Sequence, residues 1–280
     1  MPAVSLLDQV FEFHFMRNAL LTGTLVAVLA GAIGYFVVLR GQSFAAHTLS
    51  QVGFPGAAAA ILLHVPPLVG LVAFCTAAAV GIAAAGRSLD AGRRTEAAVV
   101  GTILAFSLGL GLLFFRLAAG SAQGIYAFLF GTILGISDAA TATTALTAAV
   151  CLVALAAIAR PLLFASVDPD VALARGVPVR GLSVVFLVLV ALAVAQAVQI
   201  VGTLLIFALL VAPAAAAQQV TGRPWLGLAL SVALSLAFTW IGLTIAYFTI
   251  YPVGFFITTV AFGTYVAARL VRRPPRAVPA

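Results

Sequence analysis

Long apolar runs separated by short polar breaks make up most of this chain. A helix needs about 20 predominantly apolar residues to cross a bilayer. The runs of that length predict nine membrane-spanning helices, at 18–39, 44–63, 66–85, 97–115, 139–159, 182–200, 202–221, 225–247 and 252–270. Only Val201 separates the sixth run from the seventh, so one of these two is expected to be broken or tilted, and eight spans is the alternative. The pattern predicts an all-α, polytopic integral membrane protein.

The same pattern predicts a single transmembrane domain at 18–271, preceded by an N-terminal interfacial stretch at 1–17 and followed by a cytoplasmic tail at 272–280. The first stretch contains Asp8 and Glu12 and lacks the basic start of a signal peptide. The apolar run at 125–136 is too short to span, which predicts a re-entrant or interfacial helix on the outer side.

Composition supports this interpretation. The chain is 64% hydrophobic and 8% charged, whereas ordinary globular proteins have about 25% charged residues. All seven acidic residues lie in breaks between the apolar runs or at their margins. Because an acid near the bilayer centre costs at least about 2.5 kcal/mol, this placement is typical of a membrane protein in which acids do not relay protons.

The basic residues are scattered at the ends of the predicted spans. All 14 are arginines, and most fall in breaks that can face the cytoplasm together, with Arg17 and Arg116 as exceptions. This distribution indicates topology determinants rather than a nucleic-acid surface. A chain without lysine has no Walker A loop, so any ATP used here is hydrolysed by another polypeptide. The sequence also contains no catalytic motif, so an enzyme is not predicted.

Polar residues are concentrated at the start of the second predicted span. His47 and Gln51 are four residues apart and share a helix face, with Ser50 beside them. Imidazole and oxygen donors on one face predict a path for a divalent metal ion; hydrogen bonding between helices is the alternative. His64, at the far end of this span, is a candidate for metal capture at the entrance, but an exposed loop histidine is the default interpretation.

The loop at 168–176 predicts a short cytoplasmic helix. Asp168 can cap its start before Pro169, and Gly176 can end it. A soluble partner could receive this helix in a groove, so that motion of the partner reaches the spans; a solvated connector is the alternative. The residues expected at such a contact are Asp168, Pro169, Asp170, Ala172, Ala174 and Gly176.

Several segments resemble the permeases of zinc- and manganese-type ABC importers. They occur in family order at 40–56 (RGQSFAAHTLSQVGFPG), 126–134 (YAFLFGTIL), 168–176 (DPDVALARG), 201–205 (VGTLL), 210–214 (LVAPA) and 252–254 (PVG). The resemblance implies a multi-pass protein of the cell (cytoplasmic) membrane, a homodimer or pseudo-dimer of permeases, and two cytoplasmic ATPase subunits that receive the 168–176 helix. It also implies an external solute-binding protein and a transported divalent metal, but no tightly bound cofactor.

One departure from the family pattern affects the expected substrate. The family has Asp and His four residues apart in the second helix, whereas this chain has His47 at the Asp position and Gln51 at the His position. Manganese loses its preferred carboxylate ligand, so zinc is favoured over manganese, with iron or a metal chelate also open. The alternative function is a stand-alone secondary carrier or channel for ions or small solutes.

Overall fold

The computed structural model describes residues 14–88, 93–118, 128–249 and 251–271, and within these ranges every regular element is a helix, as predicted. A 3₁₀ turn at Ile133–Gly135 precedes α5. The α-helices are α1 (His14–Leu39), α2 (Ser43–Leu62), α3 (Pro67–Ser88), α4 (Arg93–Leu117), α5 (Asp138–Val167), α6 (Pro169–Ala174), α7 (Val179–Val220), α8 (Pro224–Tyr247) and α9 (Val253–Val271).

Seven of the described helices are long and apolar enough to cross a membrane: α1, α3, α4, α5, α7, α8 and α9. The predicted count of nine or eight spans is therefore not confirmed, although the multi-pass character is. Two features explain the difference. The polar residues near the start of α2 lower its mean hydropathy, and the predicted spans at 182–200 and 202–221 both fall within α7.

The long helix α7 is broken at Gly202, where φ is 79° and ψ is 166°. Arg40, just beyond α1, donates to Ser183 near the start of α7 at 2.5 Å. Gln218, near the other end of α7, donates to the Tyr35 carbonyl in the last turns of α1 at 3.1 Å. A straight helix would separate Ser183 from Gln218 by about 52 Å, so the chain must reverse direction at Gly202.

Helices α1 and α7 form the interior, and close backbone contacts hold α1 against α8. Ser231 Oγ donates to the Gly31 carbonyl at 2.8 Å, and a side chain added at Gly31 would contact the α8 backbone at Val232. Gly227 lies against Tyr35, near the opposite end of α1 from Gly23 and Thr239, so the two helices are antiparallel. Small residues let these backbones approach, as in other membrane bundles.

The arginines separate to the two ends of the bundle. Arg40 reaches both Ser166, at the end of α5, and Ser183, at the start of α7. This end therefore also carries the α5–α7 connection and the α7–α8 connection, with Arg175, Arg180 and Arg223. The opposite end carries Arg17 and Arg116, at the start of α1 and the end of α4. The two exceptions expected from the sequence lie together.

The structure describes the predicted outer helix at 125–136 from residue 128 onward, and this part does not form the continuous helix that was expected. Residues 128–130 are helical, Gly131 has a φ of 73°, and a 3₁₀ turn follows. The Thr132 amide donates to the Ile200 carbonyl at 3.1 Å, beside the break in α7. The positive φ at Gly131 interrupts the helix, and the run is therefore not one continuous element in this part.

Two of the predicted segments fall largely outside the described residues. Residues 1–13 of the N-terminal stretch and the tail at 272–280 are not described. His14–Arg17, the remainder of the stretch, form the first turn of α1.

Candidate functional site

The polar start of α2 lies at the arginine-rich end of the bundle. Gly41, at a φ of 68°, lets the chain turn between α1 and α2, and the helix runs through Pro55 to Leu62. Gly56 packs directly on the Gly70 backbone of α3. This contact holds α2 close to α3 and leaves the opposite face of α2 less covered.

His47 and Gln51 lie on that less covered face. Both side chains are half-buried, whereas the residues between them and on either side are buried. The His47 ring packs edge-on against Phe207 of α7, with centroids 4.7 Å apart. Its Nδ1 is buried and has no hydrogen-bond partner among the described residues. The pair therefore offers an imidazole nitrogen with unused bonding capacity and an amide group one turn away.

Ser50 lies behind this pair rather than beside it. Its side chain is fully buried, and its hydroxyl donates to the His47 carbonyl oxygen at 2.7 Å. The hydroxyl of Thr48 is also buried, and the structure gives it no partner within the described ranges. Ser50 thus stabilises the backbone that carries His47, while His47 and Gln51 form the accessible strip.

The other histidine of α2 is far from this strip. His64 follows the end of the helix, is exposed and has a φ of 55°; the helix from His47 to Leu62 alone spans about 22 Å. Within the described ranges, no group of three His, Cys, Asp or Glu side chains is arranged to hold a metal ion. The strip therefore offers two donor groups, those of His47 and Gln51.

Glutamines in α7 pack between helices. Gln196 is buried and donates to Thr144 of α5 at 2.8 Å, while Gln218 bonds the α1 backbone as described above. Gln199 Nε2 is buried and lacks a partner in the part of the chain that the structure describes. Gln196 and Gln218 thus make hydrogen bonds between helices.

The loop helix forms as its sequence predicts. Asp168 accepts a hydrogen bond from the Val171 amide at 3.0 Å, and α6 begins at Pro169. It ends in a Schellman motif: the Gly176 amide bonds the Leu173 carbonyl and the Val177 amide bonds that of Ala172, with Gly176 at a φ of 80°. Every residue from 168 to 176 is exposed except Ala172, which is fully buried.

Sequence reasoning missed two residues near the strip. Arg40, treated only as a topology marker, donates to Gln42 as well as to Ser166 and Ser183, and so joins α1, α5 and α7 beside the start of α2. Phe207 packs on His47 across the break in α7, and no local pattern distinguishes it from other apolar residues of that run. For Arg40, the one signal in the sequence was its position directly after an apolar run.

Comparison with solved structures supports the fold. PsaBC from Streptococcus pneumoniae, solved in complex with a Fab, contains a chain that matches with a TM-score of 0.85 and 29% identity, covering 97% of each chain. An inward-facing metal-chelate type ABC transporter matches with a TM-score of 0.74 and 16% identity, covering 96% of this chain and 90% of that one. The second match bears on the fold alone.

Comparison with known sequences gives the family. The manganese import system permease protein ScaB of Streptococcus parasanguinis is 32% identical over 241 residues, which cover 86% of this chain and 85% of that protein. The manganese transport system membrane protein MntC of Halalkalibacterium halodurans is 27% identical over 218 residues, which cover 77% of this chain and 73% of that protein. The profile of the ABC 3 transport family matches residues 12–272. The chain therefore belongs to the ABC 3 transport family.

Proposed function

We propose that this protein is the membrane-spanning permease of an ATP-binding-cassette importer for a divalent transition-metal ion. The family match over residues 12–272 carries this proposal, and relatives named as manganese import permeases favour a metal as substrate. The apolar helices support its place as a multi-pass protein of the cell membrane. We assign ATP hydrolysis to separate cytoplasmic subunits. An external metal-binding protein delivers the ion to the permease.

The metal path is proposed to run between two copies of the chain, along the strip formed by His47 and Gln51. Each copy supplies one imidazole and one amide, and Ser50 supports the backbone beneath His47. Neutral donors bind a hard cation such as Mn²⁺ weakly, whereas imidazole suits Zn²⁺. The relatives' names nevertheless make manganese the first cation to test, and the preference for zinc has no support beyond the donor chemistry.

The orientation follows from the two ends of the bundle. The end that carries Arg40, Arg175, Arg180 and Arg223 is assigned to the cytoplasm by the positive-inside rule. Counting α2 and both halves of α7 as crossings gives nine spans, with the start of α1 outside. His64 is then at the outer surface, where it can meet the incoming ion, and α6 is at the inner surface.

The exposed residues of α6 are proposed to dock into the ATPase subunit. Val171 and Leu173 are 46% and 54% exposed although they are apolar, and such residues at a water-facing end favour a protein partner. Because Ala172 is fully buried, it is not the position for a probe. A Leu173→Cys variant should cross-link to the ATPase during turnover, while Gly222→Cys, at the same end in the α7–α8 connection, should cross-link far less. Equal cross-linking of both would contradict docking at α6.

Metal uptake tests the path. With the partner ATPase and binding protein, His47→Ala and Gln51→Ala should each lower the uptake rate for ⁵⁴Mn at least about tenfold, while the permease still reaches the membrane. Thr102→Ala is the matched control, because Thr102 is an exposed polar residue of α4 whose hydroxyl donates to the Ala98 carbonyl of the same helix. Wild-type uptake in both path variants would rule out the strip.

The energy source of uptake distinguishes the ATP-driven importer from the alternative function, a stand-alone carrier. Uptake that depends on ATP and on the ATPase supports the importer. Uptake by the purified permease alone in vesicles, at the rate of the full complex, would overturn it.

A further inference from the structure

An aromatic contact between two helices holds the His47 ring. Phe207, five residues after the break in α7, packs against it with the ring centroids 4.7 Å apart and the ring planes at 65°. Aromatic rings favour an edge-to-face arrangement at such distances. The second half of α7 runs antiparallel to α2, so this contact joins two helices that are far apart in sequence, and it fixes the plane of the imidazole.

The two nitrogens of this ring have different surroundings. Nδ1 is buried and has no hydrogen-bond partner among the described residues. The side chain as a whole is only half-buried, and its accessible part lies on the strip that it shares with Gln51. Nε2 is not among the buried atoms that lack a partner. It is therefore the nitrogen that an ion on the strip can reach.

The orientation of His47 does not come from the hydrogen bond that is usual for a metal ligand. A histidine that binds a metal ion commonly donates its other ring N–H to a carboxylate, a carbonyl or a water, and this bond sets the orientation of the ring. Within the described ranges, Nδ1 of His47 has no such acceptor. The Ser50 hydroxyl bonds the His47 carbonyl oxygen instead, so it supports the backbone and not the ring. Packing against Phe207 is the contact that can orient the imidazole.

We propose that Phe207 is a positioning residue of the metal path, and that it holds His47 so that Nε2 binds the divalent ion. This inference rests on the proposed function of the strip. Phe207 does not contact the ion; it acts through the imidazole, by restricting rotation about the side-chain bonds of His47. An imidazole without an acceptor at its second nitrogen is also a less basic ligand. Weak binding of this kind suits a path from which the ion must be released.

The kinetics of ⁵⁴Mn uptake by the complete importer test the positioning role. Phe207→Leu should raise the KM for manganese about tenfold, a loss typical of removing a group that orients a metal-binding histidine. Phe207→Tyr keeps the ring and should have a KM close to that of the wild type. A merely structural role would lower the amount of permease in the membrane, and with it the maximal rate, without changing KM.

Phe114→Leu is the matched control for this measurement. It removes a half-buried ring of α4 that packs edge-on against Phe74 of α3, with centroids 6.2 Å apart. This contact lies between other helices, so the KM should stay at the wild-type value. An unchanged KM in Phe207→Leu, or an equal rise in Phe114→Leu, overturns the positioning role.

Nuclear magnetic resonance identifies the nitrogen that binds the ion. The chain contains three histidines, so a permease labelled with ¹⁵N-histidine and assembled with unlabelled ATPase gives few ring signals, and His47→Ala assigns those of His47. Added Zn²⁺ should shift the Nε2 signal and leave Nδ1 protonated. Zinc bound at Nδ1 in the wild type overturns the inference but keeps the ion on the strip. No change at either nitrogen would remove the ion from His47, and the proposed path would fail together with the inference.

Discussion

Gly202 has a backbone conformation that is essentially restricted to glycine, with φ at 79° and ψ at 166°. A Cβ at this position would also overlap the Leu129 carbonyl oxygen and the Gly131 amide. Gly202→Ala should therefore cost about 1–3 kcal/mol from backbone strain alone, and the overlap should add to it. We expect a large drop in the thermal midpoint in detergent, or no folded protein.

Gly41→Ala is the matched control for this prediction. Gly41 also has a positive φ, of 68°, but no atom lies within 4 Å of a Cβ added there. The expected cost is about 1–2 kcal/mol, from the left-handed backbone conformation without any overlap. An equal loss of stability in both variants would show that the contact between Gly202 and residues 129–131 contributes nothing.

The donor set of the strip sets the preference between metals. His47→Asp with Gln51→His restores the carboxylate and imidazole of the family pattern. A carboxylate oxygen suits Mn²⁺ better than a neutral donor does, so the double variant should raise the ratio of manganese to zinc uptake several-fold. Competition between ⁵⁴Mn and ⁶⁵Zn in cells that carry the complete importer measures this ratio. An unchanged ratio would mean that these two side chains do not contact the ion.

Two helices, α2 and α3, meet at a pair of glycines. A Cβ at Gly56 would overlap the Gly70 carbonyl, and one at Gly70 would overlap that of Gly56. Gly56→Ala should therefore push the helices apart, lower the thermal midpoint and disturb the His47 strip on the same helix. Gly81→Ala, in open space on α3, should be neutral or raise stability by up to about 1 kcal/mol through helix propensity. A neutral Gly56→Ala would refute the close packing.

Arg40 joins the ends of three helices around the proposed ATPase contact. Its partners Ser166 and Ser183 lie on either side of α6, and its position just before α2 connects them to the helix that carries His47. Arg40→Gln should therefore reduce the metal transported per ATP hydrolysed by several-fold, while ATP hydrolysis itself continues. Arg17→Gln, at the opposite end of the bundle, is the control. A coupling ratio that stays at the wild-type value would assign Arg40 a role in stability alone.

The short helix α6 shows what local sequence can predict. Asp168, Pro169 and Gly176 set its start and end through contacts within a few residues, and each acts in the structure as its residue type predicts. The same holds for the long apolar runs, whose composition alone requires a membrane. The sequence also predicts that one of the two runs that meet at residue 201 is broken or tilted, and the structure places the break at Gly202, where the second run begins.

Contacts between distant parts of the chain could not be predicted in this way. Ser50 shares a helix face with His47 by spacing, yet its hydroxyl bonds the helix backbone and its side chain is buried, because α2 packs there. The ring of Phe207 reaches His47 only because the chain reverses at Gly202. The Arg40 bonds to Ser166 and Ser183 span more than a hundred residues of sequence. Each depends on how the helices assemble, which spacing within one helix does not specify.

The reversal at Gly202 makes a topological prediction for the whole molecule. If α7 crosses the membrane twice, the connections before and after it lie on the same side; one crossing would place them on opposite sides. Both native cysteines, Cys75 and Cys151, are fully buried, so they provide an unreactive background for labelling. Arg175→Cys and Gly222→Cys introduce thiols at exposed positions on either side of α7.

Leu63→Cys, 69% exposed at the opposite end of the bundle, reports the outer surface. An impermeant maleimide added to intact cells, with the outer membrane permeabilised where one is present, should label Leu63→Cys only. Opened vesicles should expose Arg175→Cys and Gly222→Cys to the same reagent. Seven and nine crossings both place the two ends of the chain on opposite sides, so reporters fused to the chain ends cannot distinguish these counts. The pair Arg175→Cys and Gly222→Cys can. Labelling of one of the two variants, Arg175→Cys or Gly222→Cys, but not of the other from outside would refute the double crossing and, with it, the count of nine spans.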